Sequence, residues 1–182
     1  MTMRRTLFDF IRDRTKPKPV PEAKQNRRPA SCPTNTRSKS DQRYEHMTRT
    51  MLAEYGIRVR KWRSSTSGVA WQLQARDGTI SRLIESPKPR GPVSADVFLH
   101  EIGHHAIGFN RYKPRCLEEY HAWMFSLEQM QRWDITITDR VQKRVHDSLR
   151  YAVDKAIRRG LKRLPEELAP YTNLKNSEIL HQ

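Results

Sequence analysis

Residues 97–109 read VFLHEIGHHAIGF, setting His100 and His104 four apart with Glu101 directly after the first histidine. On a helix, residues four apart lie one above the other, so both rings can present a nitrogen to one ion. Glu101 then lies about 100° round from His100, beside the ion's open position rather than on it. From there a carboxylate can take a proton from metal-bound water, whose pKa zinc lowers towards roughly 7. With 7 His in 182 residues, a chance HExxH is expected roughly 0.015 times. The competing explanation is a solvated helix face, or a histidine pair satisfied by nearby backbone.

The surroundings favour a site. Phe98, Ile102 and Phe109, with Leu99 and Ala106, are expected to cover the side of the helix away from the histidines. The ligand face then looks into a cleft. Gly103 costs about 1 kcal/mol against Ala in a helix interior. Its place between the two histidines points to close approach by another backbone or a substrate, or to a simple packing contact. His105 reads as a helix-surface residue.

Upstream, SDQRYEHMTRTMLAEYGI (residues 40–57) repeats Tyr44, Met47, Met51 and Tyr55 at helical spacing and stops at Gly56. IRVRKW then alternates, Ile57 and Val59 inward and Arg58 and Arg60 outward, as a half-buried strand does. GVAWQLQARDGTISRLI alternates on both sides of Asp77-Gly78, a strong hairpin signal. Ser94 suits the N-cap of the histidine helix and Asp96 its first turn; the helix should end near Gly108. A further helix is predicted from about Leu117 to Trp133. Another begins near Thr138, with Val141, Val145, Leu149, Val153 and Ile157 along one side, and ends at Gly160. The expected fold is α+β: an N-terminal helix, a three-stranded, mainly antiparallel sheet, the HExxH helix, a Glu-bearing helix and a C-terminal helical extension. The predicted division is a basic tail over 1–40, a core over 41–133 and the extension over 134–182.

A catalytic zinc usually has three protein ligands and one open position, and His₂Glu is a common set. CLEEYHAWMFSLEQM, residues 116–130, offers Glu118, Glu119 and His121 on one helix, which cannot all point the same way. Here a resemblance appears. HEIGHHAIG followed by EEYHAWMF resembles the ImmA/IrrE group of zinc metallopeptidases, which pair HExxH with ExxANxFA on the next helix. Glu119, Ala122 and Phe125 match that second pattern, while Trp123 stands for its Asn and Ser126 for its final Ala. The resemblance spans about residues 41–133. It implies a minimal zincin-like domain with Zn²⁺ held by His100, His104 and Glu119, and Glu101 as catalytic base. It also implies limited proteolysis of a regulatory protein, such as a repressor. A second resemblance, to SprT-like DNA-associated proteases, would make His121 the third ligand, although Ala122 follows it where those carry Gly.

In the zincin fold an antiparallel edge strand above the HExxH helix aligns the substrate, and TISRLIES (residues 79–86) is the expected strand. An oxyanion donor is also required, and Tyr112, Tyr120, His105, His146 and Tyr171 are the candidates. Cys116 reads as a small core residue.

The chain carries a net charge of +15, with 13 Lys/Arg against 5 Asp/Glu in residues 1–50. Residues 15–40 are rich in Pro, Ser, Lys and Arg, as disordered segments are. Leu7, Phe8, Phe10 and Ile11 form a small apolar cluster ahead of them. Such a basic tail can contact nucleic acid or serve solubility. In RVRKWR (residues 58–63) Trp62 stands among cations, which fits a solvated strand face with one core Trp or a base-stacking site. No helix-turn-helix, zinc-finger spacing or Gly-rich phosphate loop is present. No apolar run approaches the roughly 18 residues of a membrane span. Cys32 and Cys116 form no disulfide framework. The expected partner is a protein or peptide substrate and the expected setting cytoplasmic.

Overall fold

The computed structural model describes residues 38–172. The basic segment ahead of them, with the Leu7, Phe8, Phe10 and Ile11 cluster, and residues 173–182 lie outside that range. Ser38 opens helix α1 (Lys39–Glu54), its hydroxyl accepting the Asp41 N–H at 3.1 Å. Met47 and Met51 are its buried residues, and Gly56 reverses the chain with φ +60°. Strand β1 (Ile57–Arg63) follows directly, then β2 (Val69–Gln74) and β3 (Ile80–Pro87). The Asp77-Gly78 turn joins β2 to β3: Asp77 Oδ1 accepts the Thr79 N–H at 2.9 Å, and Gly78 takes φ +85°.

The sheet is mixed, which corrects the mainly antiparallel expectation. Its order is β1-β3-β2; β2 pairs antiparallel with β3, and β1 pairs parallel with β3, Ile57 opposite Arg82. β3 is therefore the central strand, so TISRLIES is not an edge. The reason is burial. β3 contributes Ile84, Ser86 and Pro87 to the interior, whereas Leu73 of β2 is 52% exposed. The edges fall to β1 and β2.

Helix α2 (Pro92–Ile107) lies against the sheet, and α3 (Arg115–Arg132) packs on α2. Pro92 takes the first helical position, so α2 starts two residues before the Ser94 expected to cap it. Ser94 instead accepts the N–H groups of Gly91 at 3.1 Å and Arg90 at 2.9 Å. Gly108 ends α2 with φ +84°. Helix α4 (Asp139–Arg158) is capped by Thr138, and its stripe of Val141, Val145, Leu149 and Val153 is buried in one core with Phe98, Leu99, Ile102 and Met130. A short 3₁₀ turn (Glu166–Tyr171) adds Leu168.

Two contacts fix how α3 sits on α2. A Cβ on Gly103 would lie 2.8 Å from the Ala122 carbonyl oxygen and 3.1 Å from Phe125 Cδ1. The glycine thus admits the close approach of another backbone, that of α3, rather than of a substrate. Gly103→Ala is expected to destabilise the fold by about 1–2 kcal/mol after its gain in helix propensity, because backbone must move. A lowered denaturant midpoint checks this; an unchanged or raised midpoint would refute it.

The second contact joins Ser126 to Asp96, the Ser126 hydroxyl lying 2.8 Å from both the carbonyl and Oδ1 of Asp96. Asp96 is fully buried, which pushes its pKa up to about 6 against the lowering effects of the Ser126 hydrogen bond and Arg144. A folded pKa above the unfolded value means stability present at low pH and lost as pH rises through about 6. Relative to Asp96→Asn, the parent chain should lose about 1–2 kcal/mol between pH 5 and pH 8. Denaturant titrations of both proteins at the two pH values measure it, and a constant difference would disprove it.

Candidate metal centre

The turn spacing of α2 places the His100 and His104 rings 4.6 Å apart, with their Nε2 atoms separated by 3.2 Å. Glu119, in the second turn of α3, brings Oε2 to 3.5 Å from each of those nitrogens. Three donors at the corners of a triangle with sides of 3.2, 3.5 and 3.5 Å match a tetrahedral ion. Metal–ligand bonds of about 2.0–2.1 Å at the tetrahedral angle put neighbouring donors about 3.3–3.4 Å apart. These three are the only group of that kind among the described residues.

The donor chemistry agrees with the geometry. Burial pulls the His100 pKa down to about 4, so its ring is neutral. Burial alone would raise Glu119, but hydrogen bonds with His100 and His104 outweigh it and hold the carboxyl well below its ordinary range. Two imidazoles and one carboxylate facing one point are what a divalent cation requires.

The surrounding groups hold the donors in place. Arg115 donates from Nε to Glu119 Oε1 at 3.2 Å, turning Oε2 towards the histidines. Trp123 stacks on the His100 ring at 3.8 Å, and Phe109 lies parallel to His104 at 6.2 Å. Phe109 therefore packs beside the histidines, not on the far side of α2 as expected. Glu118 is fully buried behind His104, its Oε1 4.0 Å from Nδ1, the nitrogen turned away from the donor triangle. A carboxylate there biases tautomer and ring orientation rather than ligating. His121 points elsewhere, against Tyr112 at 3.9 Å and Tyr120 at 5.5 Å.

Glu101 stands beside this cluster, 4% exposed, at the floor of a cleft of about 1300 Å³ that His100 and Glu119 also line. Burial pushes its pKa up to about 7, with His104 acting the other way. The backbone at Gly68 crosses directly over it: a Cβ there would fall 2.7 Å from Glu101 Cδ. Arg144 of α4 holds that loop by donating to the Thr66 carbonyl.

The remaining sequence candidates separate clearly. His105 is buried and faces the sheet, Nε2 3.1 Å from the Leu83 carbonyl, so it is not a surface residue. None of Tyr112, Tyr120, His105, His146 and Tyr171 lines the cleft. Cys116 is 2% exposed and belongs to the core. Trp62 is 39% exposed with its ring 6.1 Å from Phe98, while Arg60 and Arg63 pair with Glu85 at 3.4 and 3.1 Å. Arg115, Trp123, Gly68 and Arg144 were missed. Arg115 and Trp123 each stand four residues from Glu119, a signal that helical spacing offered. Gly68 and Arg144 meet the site only through the fold.

No helix among the described residues is long and apolar enough to cross a membrane. No family model matches the sequence, and no curated protein or solved structure matches it at a significant level.

Proposed function

We propose that the chain is a zinc-dependent peptidase of minimal zincin architecture, acting in the cytoplasm on a protein or peptide substrate. One observation carries the proposal. The donor triangle of His100, His104 and Glu119 stands beside a buried carboxylate, Glu101, which lines the same cleft as His100 and Glu119 and whose pKa burial pushes up to about 7. A structural site gains nothing from that fourth group. A hydrolase needs it, since a base poised near working pH is the most effective proton carrier.

His100, His104 and Glu119 would hold the ion. When bound, zinc acidifies water and polarises a carbonyl. Glu101 accepts the proton of the attacking water and returns it to the departing amine. Arg115 and Trp123 keep Glu119 and His100 in position, so little reorganisation is left for the reaction. The strand that would align an extended substrate is β2. Its outer edge is unpaired among the described residues, and Gly68, just before it, adjoins Glu101. Arg144 lines the cleft, and the part of its guanidinium not bound to the Thr66 carbonyl can face a developing oxyanion.

The test is hydrolysis of a mixed peptide library by the zinc-loaded protein, read by mass spectrometry. We expect new termini that vanish on chelation and return with zinc. Cleavage indifferent to chelation, or none by the loaded protein, would reject the proposal. A second reading draws on the net charge of +15: a basic nucleic-acid-binding or interaction protein with a structural or inactive zinc site. It requires binding that falls steeply with salt and a function insensitive to Glu101→Gln.

A further inference from the structure

The cleft extends well beyond the metal centre, and α4 with its C-cap forms one wall of it. Arg140, Lys143, Arg144, Lys155 and Arg159 line that wall against a single acid of the helix, Asp147. Asp147 is paired with Lys143 at 3.0 Å. Lys155 lies over the Tyr151 ring at 5.9 Å, and Arg140 and Arg159 are exposed. The placement follows from the helix itself. Its stripe of Val141, Val145, Leu149 and Val153 is buried in the core, which turns the neighbouring stripe, rich in cations, towards the cleft.

Peptide hydrolysis needs none of Arg140, Lys155 or Arg159, since a peptide backbone is neutral. A positive wall beside a backbone-cutting centre acts on substrate side chains. We propose that the cleft selects polypeptide segments carrying several acidic side chains, seated on the α4 wall as the backbone crosses the metal centre. The cutting rests on the peptidase reading; the binding does not.

The spacing suits an extended chain. Arg140 to Arg144, and Lys155 to Arg159, are steps of about 6 Å along the helix. Alternate residues of a strand are about 6.7 Å apart, so acids at every second position meet cations on successive turns. From Arg140 to Arg159 the wall runs about 28 Å, the length of roughly eight extended residues. A polypeptide is favoured over a nucleic acid because the edge of β2, unpaired among the described residues, begins beside the same cleft at Gly68. That edge offers main-chain N–H and C=O groups, which a peptide can pair in register and a phosphate backbone cannot.

The experiment uses the full chain, zinc-loaded and carrying Glu101→Gln to prevent turnover. Binding of three fluorescent ten-residue peptides is measured by anisotropy: alternating Glu-Ala, alternating Ser-Ala and alternating Lys-Ala. The acidic peptide should bind at least tenfold more tightly than the neutral one, and the basic one least. Adding Lys155→Glu and Arg159→Glu should remove that preference at least tenfold, with zinc content and melting temperature unchanged. The same pair of changes in the active enzyme should raise KM for acidic substrates and leave kcat in place. Equal binding of acidic and neutral peptides would overturn the proposal. So would an acidic preference that survives the charge reversals, since the N-terminal basic segment would then be the binder. Displacement of the acidic peptide by a single-stranded oligonucleotide that binds more tightly through Lys155 and Arg159 would also overturn it. If the active protein cuts nothing while charge-sensitive acidic binding remains, the peptidase reading fails and the acidic-segment site stands.

Discussion

Glu101→Gln is expected to leave the metal content unchanged and to slow peptide hydrolysis by about 10²- to 10⁴-fold, the usual worth of a general acid–base. Glutamine has the same shape, so it fits beneath Gly68 and disturbs neither His100 nor His104. What it lacks is basicity. The loss should fall on kcat with KM little altered, because Glu101 acts on the attacking water rather than on substrate binding. Stability should not suffer. The parent carboxyl is buried, and its elevated pKa means that ionising it costs folding free energy that an amide does not. A variant retaining more than about a tenth of parent activity would remove Glu101 from the proton path and favour a structural site.

Glu119→Ala is expected to abolish stoichiometric metal binding, with affinity falling by more than the roughly 10- to 100-fold typical of a lost outer-shell partner. Its Oε2 is one of three donor atoms, 3.5 Å from each histidine nitrogen. Alanine leaves two ligands from a single helix and leaves Arg115 with Glu118 as its remaining acidic partner, at 3.6 Å. His121→Ala, by contrast, should bind metal as the parent does, because that ring packs on Tyr112 away from the centre. Metal content by mass spectrometry after dialysis separates the two. Full occupancy in Glu119→Ala would transfer the third position to another group, with Glu118 the nearest carboxylate to His104 that remains.

Much of this protein follows from local chemistry that its sequence displays. The Met47 and Met51 repeat, the Asp77-Gly78 turn and the Val141 to Val153 stripe each state a backbone conformation within a few residues. The four-residue step from His100 to His104 does the same for half of the metal centre. These features depend on sterics and hydrogen bonds of one or two turns, so no distant partner is needed to realise them.

The tertiary structure decided what those patterns leave open. Glu118, Glu119 and His121 lie about 100° apart per residue around α3, and their spacing alone cannot say which one meets the histidines. The rotation of α3 against α2 makes that choice, set by Gly103 on the Ala122 carbonyl and Ser126 on Asp96. It turns Glu119 inward, puts Glu118 behind His104 and sends His121 outward. Strand order was likewise hidden, because alternation marks which face of β3 is buried but not which strands flank it. The cleft is the clearest case: Thr66 and Arg144 meet across 78 residues of chain. The sequence therefore determined the half-site that one helix makes alone. Packing between helices determined its third ligand, the cover over its base and the charged wall beside it, because each needs surfaces that only folding brings together.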